Sequence, residues 1–194
     1  MGITLPLYAA EHTSVGWWAM LITMLADLTA FVSLVFGYFF YWTVNEAFPP
    51  PGVSGPDAAW LVGGGGILLA AWGLTLGARA LNRADRPGWY YAALGAAGAA
   101  GLAGGAALLG GPWHGGMDPT SHVYAAIAWI LVIWTAVHAA AGVLMQAYCG
   151  AGRMLGKVDA RHDIDLENVA LYWHFVAIMA AGTVAVLAGF PLVS

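Results

Sequence analysis

The sequence predicts an all-α integral membrane protein with five transmembrane helices. Three observations predict it. Of the 194 residues, 61% are hydrophobic and only 8% charged, against about 25% charged in soluble domains. Five apolar segments each exceed the ~20 residues that cross a ~30 Å hydrocarbon core. With five spans, all six basic residues fall on one side of the membrane. A surface built from so few charges must face lipid, and the mean hydropathy of +0.75 agrees.

The first span is expected over residues 15–42 and contains one carboxylate, Asp27. Asp27 lies twelve residues into that helix, which is ~18 Å at ~1.5 Å per residue, near the mid-plane. A charged residue at the centre of a transmembrane helix costs at least ~2.5–3.5 kcal/mol if it faces lipid. A partner, a bound molecule or a proton must therefore compensate it. Thr23 and Thr29 are nearby hydroxyls that could do so. Pro49-Pro50-Pro51-Gly52 and Ser54-Gly55-Pro56 then break the chain.

The second span is expected over 58–81 and the third over 89–110. The third is rich in Gly, Ala and Leu, at a small-xxx-small spacing that suits close helix contact. Helix is its default because lipid leaves backbone groups no other partner. Pro112 and Asp118-Pro119 lead to the fourth span, 121–148, which carries His138. The linker 149–167 ends in Asp163, Asp165 and Glu167, read as complementing the dipole at the next helix start. The fifth span, 168–193, carries Tyr172, Trp173 and His174. The whole chain reads as one membrane domain.

Arg79, Arg83, Arg86, Arg153, Lys157 and Arg161 share a side with the N-terminus; the 43–57 and 111–120 loops and the C-terminus lie opposite. The positive-inside rule places the N-terminus in the cytoplasm and the C-terminus outside. Aromatic residues near the span ends, including Trp17, Trp18, Tyr41, Trp42, Trp89, Tyr172 and Trp173, fit interfacial belts. The first fifteen residues lack the basic region of a secretory signal and carry Glu11 and His12.

The chemistry on offer is narrow. Cys149 is the only cysteine, so no internal disulfide or Cys-based metal cluster forms. Met20, Met24, Met145 and Met179 read as packing rather than a copper site. Gly63-Gly-Gly-Gly66 and Gly95-x-x-Gly98-x-x-Gly101 lie inside apolar spans, and no Lys-Ser/Thr follows, which excludes a phosphate loop. The basic residues lie in two loops and suggest no nucleic-acid partner. His138 and His174 fall in the same half of neighbouring antiparallel helices, so a small b-type cytochrome with these axial ligands is one alternative. A transporter with Asp27 as its proton site is another.

Two segments carry a resemblance. Trp17-Trp18-Ala-Met20-Leu through Ala26-Asp27-Leu-Thr-Ala-Phe31 to Phe36-Gly37-Tyr38-Phe39 resembles the first helix of five-helix subunit III of the haem–copper oxidases. Glu167-Asn-Val-Ala-Leu-Tyr172-Trp173-His174-Phe175-Val176 resembles that family's Tyr-Trp-His-Phe-Val-Asp signature. The fourth helix, with Val137-His138 and Gly142, is similar to its Gly-Leu-His-Val…Gly stretch. Ala177 stands where the family has Asp, Trp134-Thr135 where it has Gly-His, and Asp27 where the cytochrome c oxidase branch often has Glu and the quinol oxidase branch Asp.

The resemblance implies a non-catalytic accessory subunit of a proton-pumping terminal oxidase in the inner (plasma) membrane. Such a subunit packs on oxidase subunit I, binds phospholipid, supports proton uptake and carries no cofactor; haem and copper belong to partner subunits. Carried over, Asp27, His138 and His174 match the family's polar intramembrane residues, and Trp18, Tyr172 and Trp173 are lipid or subunit contacts. An accessory subunit of a quinol oxidase or nitric oxide reductase is the near alternative. The opening Leu5-Pro-Leu-Tyr8 to Glu11-His12 is similar to the junction of chains in which subunit III is fused behind subunit I; with Met1 at its head, the chain is expected to be a separate subunit.

Overall fold

A computed structural model describes residues 15–192 of the chain, so the N-terminal segment with Glu11 and His12, and Val193, lie outside the described residues. Five helices follow in order: α1 (Val15–Val44), α2 (Ala58–Arg83), α3 (Pro87–His114), α4 (Val123–Met154) and α5 (Ile164–Val184). A π-helical turn (Ala185–Gly189) and a 3-10 turn (Phe190–Leu192) continue α5. All five are long and apolar enough to cross a membrane, which marks a multi-pass membrane protein.

The ends are set by local chemistry. Asp57 caps α2, its Oδ1 accepting from the Ala59 and Trp60 amides at 2.8 and 3.3 Å. His122 caps α4 by accepting from the Tyr124 amide at 3.0 Å, and Pro87 occupies the first turn of α3. At the far ends of α3 and α4, Gly116 and Gly156 take positive φ values of 67° and 70°. There Met117 N–H donates to Pro112 O and Lys157 N–H to Gly152 O, at 3.0 and 2.8 Å. These are Schellman closures, and glycine adopts their left-handed residue without strain.

Three boundaries shift by four residues or more from the sequence reading. Pro112 lies inside the last turn of α3 rather than in the connection. The fourth helix runs on to Met154 because Gly150 and Gly152 are buried contact points, against Leu94 and Val158, and not a break. The fifth begins four residues early, at Ile164.

Helices α2 to α5 close into a four-helix bundle: α2 packs on α3, α3 on α4, α4 on α5 and α5 on α2. Glycines set how near the helices come. A Cβ at Gly64 of α2 would sit 2.7 Å from the Leu108 backbone nitrogen of α3, so these backbones touch, as small-residue interfaces in membranes allow. Trp173 of α5 is wholly buried at the bundle centre. Its ring lies over Gly101 of α3 and Gly142 of α4, where a Cβ would stand 2.8 and 3.0 Å from ring atoms.

Helix α1 lies outside this bundle, against α4 and α5. Its buried residues are Met24, Phe31 and Tyr38, seven apart, a single narrow seam. Near its C-terminal end, Tyr38, Phe39 and Trp42 pack on Phe190 with ring centroids 6.3, 5.0 and 5.2 Å away.

The basic residues meet acids at one end of the bundle. Arg79 Nη2 donates to Glu167 Oε2 at 2.7 Å, and Arg83 Nε to Asp163 Oδ2 at 2.6 Å. Arg153 reaches Asn82 and, at 2.8 Å, Asp85. Asp163 stands at the N-cap of α5 but makes no side-chain cap bond there; its carboxylate pairs with the arginines of α2 instead. In the connecting loop the Asp159 carboxylate bonds the His162 ring and the Arg161 and His162 amides. These bonds, the His162 side chain first, hold its pKa down at about 2. This closure is complete above the ordinary value of 3.8 and is lost as pH falls through about 2.

Gly101→Ala should destabilise the chain by about 1–3 kcal/mol, because the Trp173 ring has no room to yield. Gly63→Ala, which meets nothing within 4 Å, should be neutral or slightly stabilising. Unfolding in detergent measures both.

Candidate functional site

Asp27 falls three residues after Met24 and four before Phe31, so it shares the buried seam of α1. The seam carries it to α4, where His138 lies fifteen residues from Val123 and sixteen from Met154. The meeting point is therefore half-way along α4, deep in the span. Asp27 Oδ2 stands 3.5 Å from His138 Nε2, an ion-pair distance just beyond a formed hydrogen bond. The imidazole is the buried partner, its side chain 12% exposed, and the carboxylate the open one at 33%.

The other ring nitrogen decides which nitrogen meets Asp27. His138 Nδ1 lies 2.7 Å from the Trp134 carbonyl. A carbonyl only accepts, so Nδ1 carries a proton and donates it. Nε2 is then the nitrogen that faces the Asp27 carboxyl. Where one proton lies between Nε2 and Oδ2, it can sit on either atom and leave the pair neutral overall. Transfer of that proton changes no net charge inside an apolar layer where net charge is expensive.

Helix α5 completes the surroundings. Tyr172 and Phe175, three residues apart on one face, place their rings 6.5 and 5.6 Å from the His138 ring. Tyr172 is also within electrostatic reach of Asp27. Trp134 packs on the imidazole at 5.0 Å. The cluster thus draws on α1, α4 and α5, and it can hold or relay one proton or lock α1 to the bundle.

Asp27, His138 and Tyr172 come together; the other residues picked from the sequence do not. Thr23 and Thr29 donate to the carbonyls of Ala19 and Leu25, at 2.9 and 2.8 Å, and do not serve Asp27. Trp173 is core and touches neither lipid nor a partner, because α5 turns it into the bundle. Tyr172 is likewise buried rather than interfacial. Trp18 is exposed, edge-on to Trp17 at 5.1 Å. His174 does not face His138. Two residues beyond Tyr172 it is turned by ~200°, and its ring lies 5.5 Å from Trp72 of α2. Among the described residues no group of three or more His, Cys, Asp or Glu is placed to hold a metal ion.

Sequence reasoning passed over the polar contacts that join the bundle. Gln146 Nε2 donates to Thr75 Oγ1 at 2.7 Å, and Thr135 and Thr183 share a 2.9 Å bond. The ionic contacts had a readable signal, since Arg79/Arg83 and Asp163/Glu167 are each spaced i, i+4.

No protein-family model matches this chain, and no curated protein matches it.

A double-mutant cycle of Asp27→Ala and His138→Ala should return a favourable coupling of about 0.5–2 kcal/mol, the range of interhelical polar contacts in membranes. Additive losses in unfolding free energy would mean that the two side chains do not interact.

Proposed function

We propose that this chain is the non-catalytic accessory subunit III of a proton-pumping haem–copper terminal oxidase, of the cytochrome c oxidase type. It supports the stability of subunit I and its proton uptake, and it binds phospholipid. One observation carries the reading. The three helices that hold the resemblance, α1, α4 and α5, contribute Asp27, His138 and Tyr172 to a single mid-membrane cluster. A carboxylate–imidazole pair that shifts a proton without net charge suits a subunit serving proton traffic. In this reading the arginine-rich end is cytoplasmic by the positive-inside rule, the C-terminus is outside, and the membrane is the inner (plasma) membrane.

A b-type cytochrome built on His138 and His174 is disfavoured because the rings lie on different sides of α5. The electron donor, cytochrome c or quinol, is a property of other chains and leaves the role of this one unchanged.

The tagged chain, isolated gently from its native membranes, should bring down a large subunit containing haem and copper. The chain alone should show no haem band in reduced-state visible spectra. Asp27→Ala should leave assembly intact and shorten the active lifetime of the complex during turnover severalfold. A haem band on the isolated chain, or solute flux through liposomes containing only this chain, would overturn the proposal.

A further inference from the structure

Helices α1, α4 and α5 meet around Asp27 and His138. Nearer the arginine-rich end the same three helices leave a cavity of about 370 Å³ between them. Met20 of α1, Met145 of α4, and Asp165, Asn168 and Val169 of α5 line it. Sequence spacing fixes where it lies. Met20 stands seven residues before Asp27, Met145 seven after His138, and Asp165 seven before Tyr172. Seven residues are two helical turns, so each pair shares a helix face, ~10.5 Å apart. Helices α1 and α5 begin at this end, with Gly16 beside Asn168, and α4 finishes at it. All three steps therefore run the same way. The cavity stands in line with the Asp27–His138–Tyr172 cluster, two turns nearer the arginines.

Its polar groups suit water. The arginines of α2 take Asp163 and Glu167, whereas Asp165, between them in sequence, lines the cavity. One turn deeper, Asn168 Oδ1 is buried and, among the described residues, accepts no hydrogen bond. Leaving a buried acceptor unsatisfied costs about 1–3 kcal/mol. The methionines and Val169 have no donor to give, and neither has an acyl chain. Water has one, and the space is many times the ~30 Å³ that one molecule occupies in the liquid. The mouth is level with the ion pairs, where the Arg83 side chain is half exposed. One turn separates the cavity from the pair, and it holds Met24 and Tyr172. The Met24 side chain is unbranched and yields easily. The Tyr172 hydroxyl both accepts and donates, on a ring 6.5 Å from that of His138.

We propose that this cavity is a water-filled entry by which protons reach the Asp27–His138 pair from the arginine-rich end. Asp165 takes up the proton at the mouth. Asn168 Oδ1 anchors the water chain. The Tyr172 hydroxyl receives a proton from the innermost water as it gives its own to the pair, so no group along the line keeps a net charge. The entry serves the proton role proposed above and rests on that reading for its purpose; its geometry does not.

The test is hydrogen–deuterium exchange of the His138 ring N–H, followed by solid-state NMR of the full chain in lipid after transfer to D2O. The Trp173 indole N–H, wholly buried at the bundle centre, is the internal reference. The His138 ring should exchange while the Trp173 indole still keeps its proton. Asn168→Leu should slow that exchange roughly tenfold, the scale of one lost hydrogen bond in the chain. Leu144→Trp, which adds bulk at an exposed wall of the cavity and disturbs no core residue, should slow it as well. Tyr172→Phe should slow it with the cavity intact. Exchange at His138 no faster than at Trp173 would overturn the entry. So would a rate indifferent to both Asn168→Leu and Leu144→Trp. If the entry fails and a haem–copper subunit still copurifies, the accessory reading stands without it. If exchange follows the expected pattern and no such subunit copurifies, the entry stands and the accessory reading falls.

Discussion

A polar group in the middle of a membrane-spanning bundle is costly unless the protein supplies it a partner. The contact between Asp27 and His138 answers that demand for α1. Without it, a mid-span carboxylate would face hydrocarbon, at a cost of several kcal/mol. With it, the outermost helix is fixed in rotation and depth against α4. The Met24–Phe31–Tyr38 seam supplies packing, but a seam of three side chains is narrow, and apolar contact alone gives little preference over lipid. The polar pair gives α1 its register.

The same rule orders the rest of the bundle. Thr75–Gln146 and Thr135–Thr183 tie α2 to α4 and α4 to α5 through short hydrogen bonds. Glycines bring the backbones close enough for these bonds to form, and the Gly101–Gly142 notch admits the indole of Trp173. The basic residues are confined to one end, where the arginines of α2 meet the acids that begin α5. A four-helix body with a fifth helix strapped across it by the Asp27–His138 pair is suited to support a neighbour.

Much of this was legible in the residues. Hydropathy and span length fixed five helices, because lipid leaves a chain few other options. Asp27 was conspicuous as the lone charge in its span, and its position on the Met24–Phe31 seam follows from helical spacing. Its partner was not legible. Thr23 and Thr29 are closer in sequence, yet their hydroxyls bond their own helix, and only tertiary packing brings His138 across. Trp173 and Tyr172 read as interfacial aromatics because they lie near the start of a span; the early start of α5 at Ile164 and its central place in the bundle put them inside. The i, i+4 pairs of Arg79/Arg83 and Asp163/Glu167 were present in the sequence, but which helix ends would face each other was not.

The central claim is that the Asp27 carboxyl and His138 Nε2 form an interacting pair while Nδ1 donates to Trp134. Solid-state nitrogen NMR of histidine-labelled protein in lipid reads this directly. The His138 resonances should show a protonated Nδ1, and the Nε2 shift should respond to Asp27→Asn. A neutral ring protonated only on Nε2, with shifts indifferent to Asp27→Asn, would contradict the claim.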